Sequence, residues 1–88
     1  MGEIGDVQSP VTEYAKSLGW LARRMQYIGT NGCPDTWFFK DGVVIICEWK
    51  KRGKEATLQQ RRQHKKLLVA GFKVHVIDNY EDGCALFD

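Results

Sequence analysis

Apolar side chains near the start of the chain recur at helical spacing: Val11, Tyr14, Ala15 and Leu18 share a stripe, Pro10 suits a first turn and Gly19 a stop. The spacing predicts a helix that begins between Asp6 and Ser9 and ends near Leu18. From Trp20 to Tyr27 apolar and basic residues mix as in a strand, and Gly29-Thr30-Asn31-Gly32-Cys33-Pro34 reads as a loop. Two β-rich runs follow, Thr36 to Lys40 and Val43 to Lys50, separated by Asp41-Gly42, a dipeptide that favours a tight two-residue hairpin turn. Thr57 to Ala70 reads as a second helix, with Thr57 and Gln60 at capping-box spacing and Gly71 placed as a C-cap. Phe72 to Ile77 is a further strand, after which Asp78-Asn79 turns the chain into a short C-terminal segment. The expected class is α/β, in the order αβββαβ.

A two-residue turn at Asp41-Gly42 pairs Lys40 with Val43, Phe39 with Val44, Phe38 with Ile45 and Trp37 with Ile46. Continued outward, the same register sets Asp35 opposite Glu48. Facing residues have Cβ atoms about 4.5–5.5 Å apart, where like charges are destabilising. Alternation puts Lys50 on the Glu48 face and Trp49 on the other. Asp35, Glu48 and Lys50 then gather at one end of a hairpin whose other inward positions, Trp37, Phe39, Val44 and Ile46, are apolar. Two carboxylates at the mouth of an apolar floor suit a hard divalent cation, which takes one or two carboxylates plus water and phosphate oxygens. Such an ion polarises a phosphate and helps generate hydroxide, and a lysine beside it orients water or offsets developing charge. The competing reading is a surface ion pair in which Lys50 offsets Glu48. A one-residue slip in register moves Asp35 to the opposite face and removes the site.

Composition narrows the class. The chain has 88 residues, 43% hydrophobic and 27% charged, with nine Gly and two Pro, which predicts one soluble folded domain over residues 1–88. No apolar run approaches the roughly 20 residues of a membrane helix, and no signal peptide is recognised. A core this small is thin, so a partner subunit or bound ion is expected to assist stability. Cys33, Cys47 and Cys84 form no CxxC pair, which points away from a disulfide framework or zinc ribbon and towards a reducing, cytoplasmic setting. Cys47, inside an apolar run, reads as a core residue.

The net charge of +2 is unevenly spread. Residues 50–73 hold nine basic side chains against one acidic, while 1–49 hold four against six and 74–88 none against four. Lys50, Lys51, Arg52, Lys54, Arg61, Arg62, Lys65, Lys66 and Lys73 form the block expected of a phosphate-binding face, or else a solvated helix face.

Gly32-Cys33-Pro34-Asp35 followed by Glu48-Trp49-Lys50 at the end of an apolar strand resembles the PD-(D/E)xK nuclease signature. More narrowly, the chain is similar to stand-alone, phage-type VRR-NUC domains (virus-type replication-repair nucleases). Those carry, in order, a Gly-x-Pro-Asp loop, a Glu-x-Lys strand, a basic Gly-containing loop and a glutamine-bearing helix. Here these are Gly32 to Asp35, Glu48 to Lys50, Lys51-Arg52-Gly53-Lys54 and Thr57-Leu58-Gln59-Gln60, so the likeness covers essentially the whole chain.

The resemblance implies a small mixed sheet flanked by helices. Asp35, Glu48 and the main-chain carbonyl of Trp49 would bind Mg²⁺ or Mn²⁺, Lys50 would be the catalytic lysine, and Gln60 would lie beside the site. The family often has an acid on the first helix; the best-aligned residue is Gln8, on the stripe of Val11 and Ala15, whereas Glu13 points away from that stripe and reads as solvated. A further departure is Gln63, where an aromatic residue is common. Phosphate contacts are expected from Lys51, Arg52, Lys54, Arg61, Arg62 and Lys65.

By the same resemblance the protein is expected to be a homodimeric, metal-dependent endonuclease of branched DNA such as four-way (Holliday) junctions, acting in a bacterial host cell if phage-encoded. The alternative is a non-catalytic nucleic-acid-binding module using the basic 50–73 segment. His64, one turn after Gln60, reads first as packed or solvated, and His75 as facing outward. Trp37 is assigned to core packing, and Trp49, on the back of the strand, to a subunit interface.

Overall fold

The computed structural model describes residues 3–88, with side chains from Val7 onward. Its elements are α1 (Glu3–Ser17), β1 (Leu21–Arg24), β2 (Thr36–Lys40), β3 (Val43–Trp49), α2 (Leu58–Val69), β4 (Val74–Ile77) and α3 (Tyr80–Ala85). The strands form one sheet in the order β1-β2-β3-β4. The first three are antiparallel, and β4 runs parallel to β3 after the α2 crossover.

The hairpin register is the expected one, from Lys40↔Val43 to Thr36↔Cys47. Asp41 and Gly42 both have positive φ, 50° and 78°, as a turn matched to the right-handed twist of its strands requires. Helix α1 starts earlier than its spacing suggested, and Pro10 lies inside it rather than in the first turn. Val7, Val11 and Ala15, four residues apart, are all buried, so packing of the first turns holds the helix together despite the hydrogen bond that Pro10 cannot make.

The stripe of α1 and the tail after α3 cover one face of the sheet, where Val7, Val11, Ala15, Phe38, Cys47, Trp49, Ile77 and Phe87 form the core. Phe38 meets Trp49 and Phe87 edge-on, with ring centroids 6.2 and 4.7 Å apart. The indole N–H of Trp49 donates to Thr36 Oγ1 at 2.9 Å. Trp49 is therefore not a surface residue awaiting a partner; it is 1% exposed and its polar tip is satisfied within the core. His75 pairs in register with Cys47, which turns it to this same side instead of outward.

The opposite face is thinner. Of Trp37, Phe39, Val44 and Ile46 only Ile46 is buried, and Trp37, expected in the core, is half-buried with its indole N–H unpartnered. The reason lies in α2, which has no buried residue of its own and so cannot seal the floor beneath it.

The short helix α3 was not anticipated. Asn79 caps it by accepting from the Asp82 N–H at 2.9 Å, and Glu81 and Asp82 stand in its first turn. It delivers Phe87 to the core, and the hydroxyl of Tyr14 donates to Asp88.

Candidate active site

The loop before β2 is pressed against α2. At Gly32 φ is +92°, and a Cβ there would stand 3.0 Å from both the Gln59 carbonyl oxygen and Gln63 Cγ, so the position admits no side chain without displacement. Pro34 is fully buried. Asp35 follows, its carbonyl accepting from the Met25 N–H at 3.0 Å and its Oδ2 from the Trp49 N–H at 2.9 Å. The ladder thus ends at Thr36↔Cys47, and Asp35, instead of completing a paired rung with Glu48, reaches across to the main chain of β3.

Glu48 is 1% exposed. Gln60 Nε2 donates to its Oε2 at 3.2 Å, and His64 Nε2 stands 3.4 Å from its Oε1. Gln60 also completes the capping box of α2: its Oε1 accepts from the Thr57 N–H at 2.9 Å, while Thr57 Oγ1 accepts from the Gln60 N–H at 3.2 Å. One amide therefore caps the helix with its oxygen and presents its nitrogen to the buried carboxylate.

Burial, and then the Lys50 ammonium, hold His64 below its ordinary value, with Asp35 acting the other way. That favours the neutral imidazole, whose Nε2 faces Glu48 Oε1 at 3.4 Å. The packed or solvated reading of His64 misses this contact; the signal for it is the four-residue spacing from Gln60.

Lys50 is half-buried, and its N–H donates to the Ile77 carbonyl at 2.9 Å. The Cys33 thiol is raised, first by burial, which a Tyr27 backbone hydrogen bond partly offsets, and then by the charges of Glu48 and Asp35. That argues against a nucleophilic role. Cys47 is pushed up to about 12 by burial and the charge of Asp35, as befits a core residue. All three cysteines are free.

Among the described residues no group of three or more His, Cys, Asp or Glu is placed to hold a metal ion. Two carboxylates, Asp35 and Glu48, stand at this end of the hairpin, and hard oxygen donors of that kind fit Mg²⁺ or Mn²⁺ with water completing the shell.

The remaining candidates are dispersed. Lys51, Arg52 and Lys54 are exposed on a loop fastened to the end of β4 by Asp78, whose Oδ2 accepts from the Gly53 N–H at 2.8 Å. This holding role of Asp78 has no sequence motif to announce it. The basic block wraps round α2: Arg61 borders a groove with His64 and Lys73 beside β4, Arg62 and Lys66 lie on the other flank with Gln59 and Gln63, and Lys65 touches both. Glu13 is exposed and 3.5 Å from Lys16. Gln8 is buried but lines a cleft with Arg24 and Thr36, on the side of the sheet opposite Glu48.

No protein-family profile matches the chain. It is 26% identical over 76 residues to "Putative nuclease p44" of Acyrthosiphon pisum secondary endosymbiont phage 1, covering 85% of this chain and 82% of the relative. A solved structure described as a VRR_NUC domain superposes with a TM-score of 0.88 at 27% identity, over 98% of this chain and 95% of that one. With the mixed four-stranded sheet and its flanking helices, this likeness gives the chain the fold of a VRR-NUC domain.

Proposed function

We propose that this protein is a divalent-metal-dependent DNA endonuclease that hydrolyses phosphodiester bonds in branched DNA such as four-way junctions. One observation carries the reading: two carboxylates from adjacent strands are held at one end of the hairpin beside a lysine, Asp35 by the Trp49 amide and Glu48 by Gln60 and His64. The nuclease description of the phage relative supports it.

Asp35, Glu48 and the Trp49 carbonyl would hold Mg²⁺ or Mn²⁺. When bound, such an ion polarises the scissile phosphate and acidifies a bound water. Lys50 orients the attacking water or offsets charge that develops on the phosphate oxygens. Gln60 keeps the Glu48 carboxylate in place, and His64 faces its other oxygen. Lys51, Arg52 and Lys54 on the loop, with Arg61, Lys65 and Arg62 on α2, grip flanking phosphates.

Exposed Leu68, Val69 and Phe72 support association into a homodimer, and a two-fold pair of active sites suits paired incisions in a symmetric junction. Among the described residues no helix is long and apolar enough to cross a membrane. The free cysteines and the phage relative favour action in the cytoplasm of an infected bacterium.

The test is incubation of flap, splayed-arm and four-way-junction DNAs with Mg²⁺, Mn²⁺ or EDTA, with Asp35→Asn protein as the blank. Incision is expected with either metal, strongest on the junction, and in neither EDTA nor the blank. Binding that leaves every substrate uncut would establish the non-catalytic module instead.

A further inference from the structure

A second polar cleft lies across the sheet from Glu48, between α1 and β1. It encloses about 280 Å³, and its walls include Gln8, Thr12, Trp20, Arg24 and Thr36. Gln8 Oε1 and Thr12 Oγ1 are both cut off from water and lack a hydrogen-bond partner, and Gln8 is only 7% exposed. A buried acceptor left unpaired keeps its full desolvation penalty, which an apolar side chain of the same size would not carry.

The register Ala22↔Phe38 and Arg24↔Thr36 turns Arg24 to the same side of the sheet as α1. The cleft thus combines a buried carbonyl acceptor, a hydroxyl and an aromatic wall with an exposed guanidinium. Phosphate alone would satisfy Arg24 and Thr12 but offers nothing to an amide oxygen. The unpaired edge of a nucleobase does, since each of the four bases carries an N–H there, and the attached phosphate supplies the partner for Arg24. The volume accommodates one base with its sugar.

We propose that the α1–β1 cleft is a subsite for one unpaired nucleotide, its phosphate on Arg24 and its base edge on Gln8 and Thr12, whose side chains turn into the cleft to meet it. Thr36, in the wall of the cleft, directly follows Asp35 in sequence. Thr36 and Asp35 point to opposite faces of the sheet, so the subsite lies round the sheet from the candidate active site and would select strands that are single-stranded near the cut. This last step rests on the nuclease reading; the binding itself does not.

Fluorescence anisotropy in EDTA tests it, with a splayed-arm DNA and the same DNA carrying abasic sugars in its single-stranded arm. The natural protein is expected to bind the base-containing arm about tenfold more tightly, a size usual for one engaged base. Gln8→Leu and Thr12→Val should each bring the two arms to within about twofold, with thermal midpoints equal to or above that of the natural protein because an orphaned polar atom has gone. Equal binding of both arms by the natural protein, as a water-filled cleft or a phosphate-only grip would give, overturns the proposal. Full discrimination retained by both variants does so too. Since no metal or cleavage enters the measurement, a protein that discriminates the arms yet cuts no DNA would refute the nuclease reading and keep the subsite. One that cuts but does not discriminate would refute the subsite alone.

Discussion

The carboxylate of Asp35 accepts a hydrogen bond from the main-chain N–H of Trp49 at 2.9 Å. An amide oxygen accepts the same bond, so Asp35→Asn keeps the strand connection while removing the charge. It should leave the thermal midpoint within about 2 °C of the natural protein, a change well under 1 kcal/mol for a domain of this size. Metal-dependent cleavage should fall at least about 100-fold. Glu48→Gln and Lys50→Ala should match that loss, with junction binding in EDTA largely intact. Full activity in any of the three, measured on a four-way junction with Mg²⁺, would remove that residue from the mechanism.

The link from Thr57 through Gln60 to Glu48 makes helix capping and site geometry inseparable. Thr57→Ala removes the cap and should cost about 1 kcal/mol, or about 4–8 °C in the thermal midpoint of a domain this small. Gln60→Glu is the sharper variant. Glutamate serves a capping box as well as glutamine does, but here it sets a second carboxylate against a buried one. Cleavage of a four-way junction should fall further than with Thr57→Ala. Cleavage by Gln60→Glu equal to that of the natural protein would show that the amide does not govern Glu48.

Local chemistry made much of this arrangement legible in the sequence. Asp41-Gly42 fixes a two-residue turn, and the turn fixes which residues face one another, so Trp37↔Ile46 and its neighbours follow by counting. Thr57 and Gln60 announce their cap in the same way. The sequence does not say which face of the hairpin is the core, because apolar side chains alternate on both. That choice is made by what packs against each face: the Val7, Val11, Ala15 stripe and Phe87 on the Trp49 side, and the largely polar α2 on the Trp37 side. Hence Trp49 lies in the core and Trp37 outside it, the reverse of the expected burial. Gln8 shows the same limit, since spacing puts it on the buried stripe of α1 but cannot say which side of the sheet the stripe covers.

Both histidines lie below their ordinary value near 6.5, each chiefly through burial, with Lys50 adding to the effect on His64 and Lys73 on His75. The unfolded chain therefore binds more protons than the folded one once the pH drops below about 6.5. Stability should be flat between that pH and the ordinary range of the cysteines and fall on acidification, until the folded-state histidines also titrate. Asp78 is shifted down by the Gly53 N–H and then by Asn79, so its contribution is present above its ordinary value and lost only on further acidification, which separates it from the histidine step. Denaturant midpoints of the natural protein and of His64→Gln/His75→Gln between pH 7 and 5 provide the check. The double variant should lose most of the slope, and an unchanged slope would place the acid sensitivity elsewhere.

Gly83 of α3 faces Val11 of α1 so closely that a Cβ at Gly83 would stand 2.6 Å from Val11 Cγ2 and 3.3 Å from Ile77 Cγ2. In an exposed helix Gly→Ala stabilises by about 1 kcal/mol. Here the added methyl meets a β-branched side chain that is 0% exposed and has no free rotamer to retreat into. Overpacking of about 1–3 kcal/mol therefore outweighs the propensity gain, and Gly83→Ala should lower the thermal midpoint. Val11→Ala alone should also destabilise, by opening a cavity. Combined, the methyl gained at Gly83 occupies part of the space left by the two γ-methyls of Val11, so the double variant should be more stable than the sum of the single losses, with a coupling of about 1 kcal/mol. Strict additivity would mean that α1 and α3 do not meet at this contact, and would remove the support that α3 gives to the Trp49 side of the sheet.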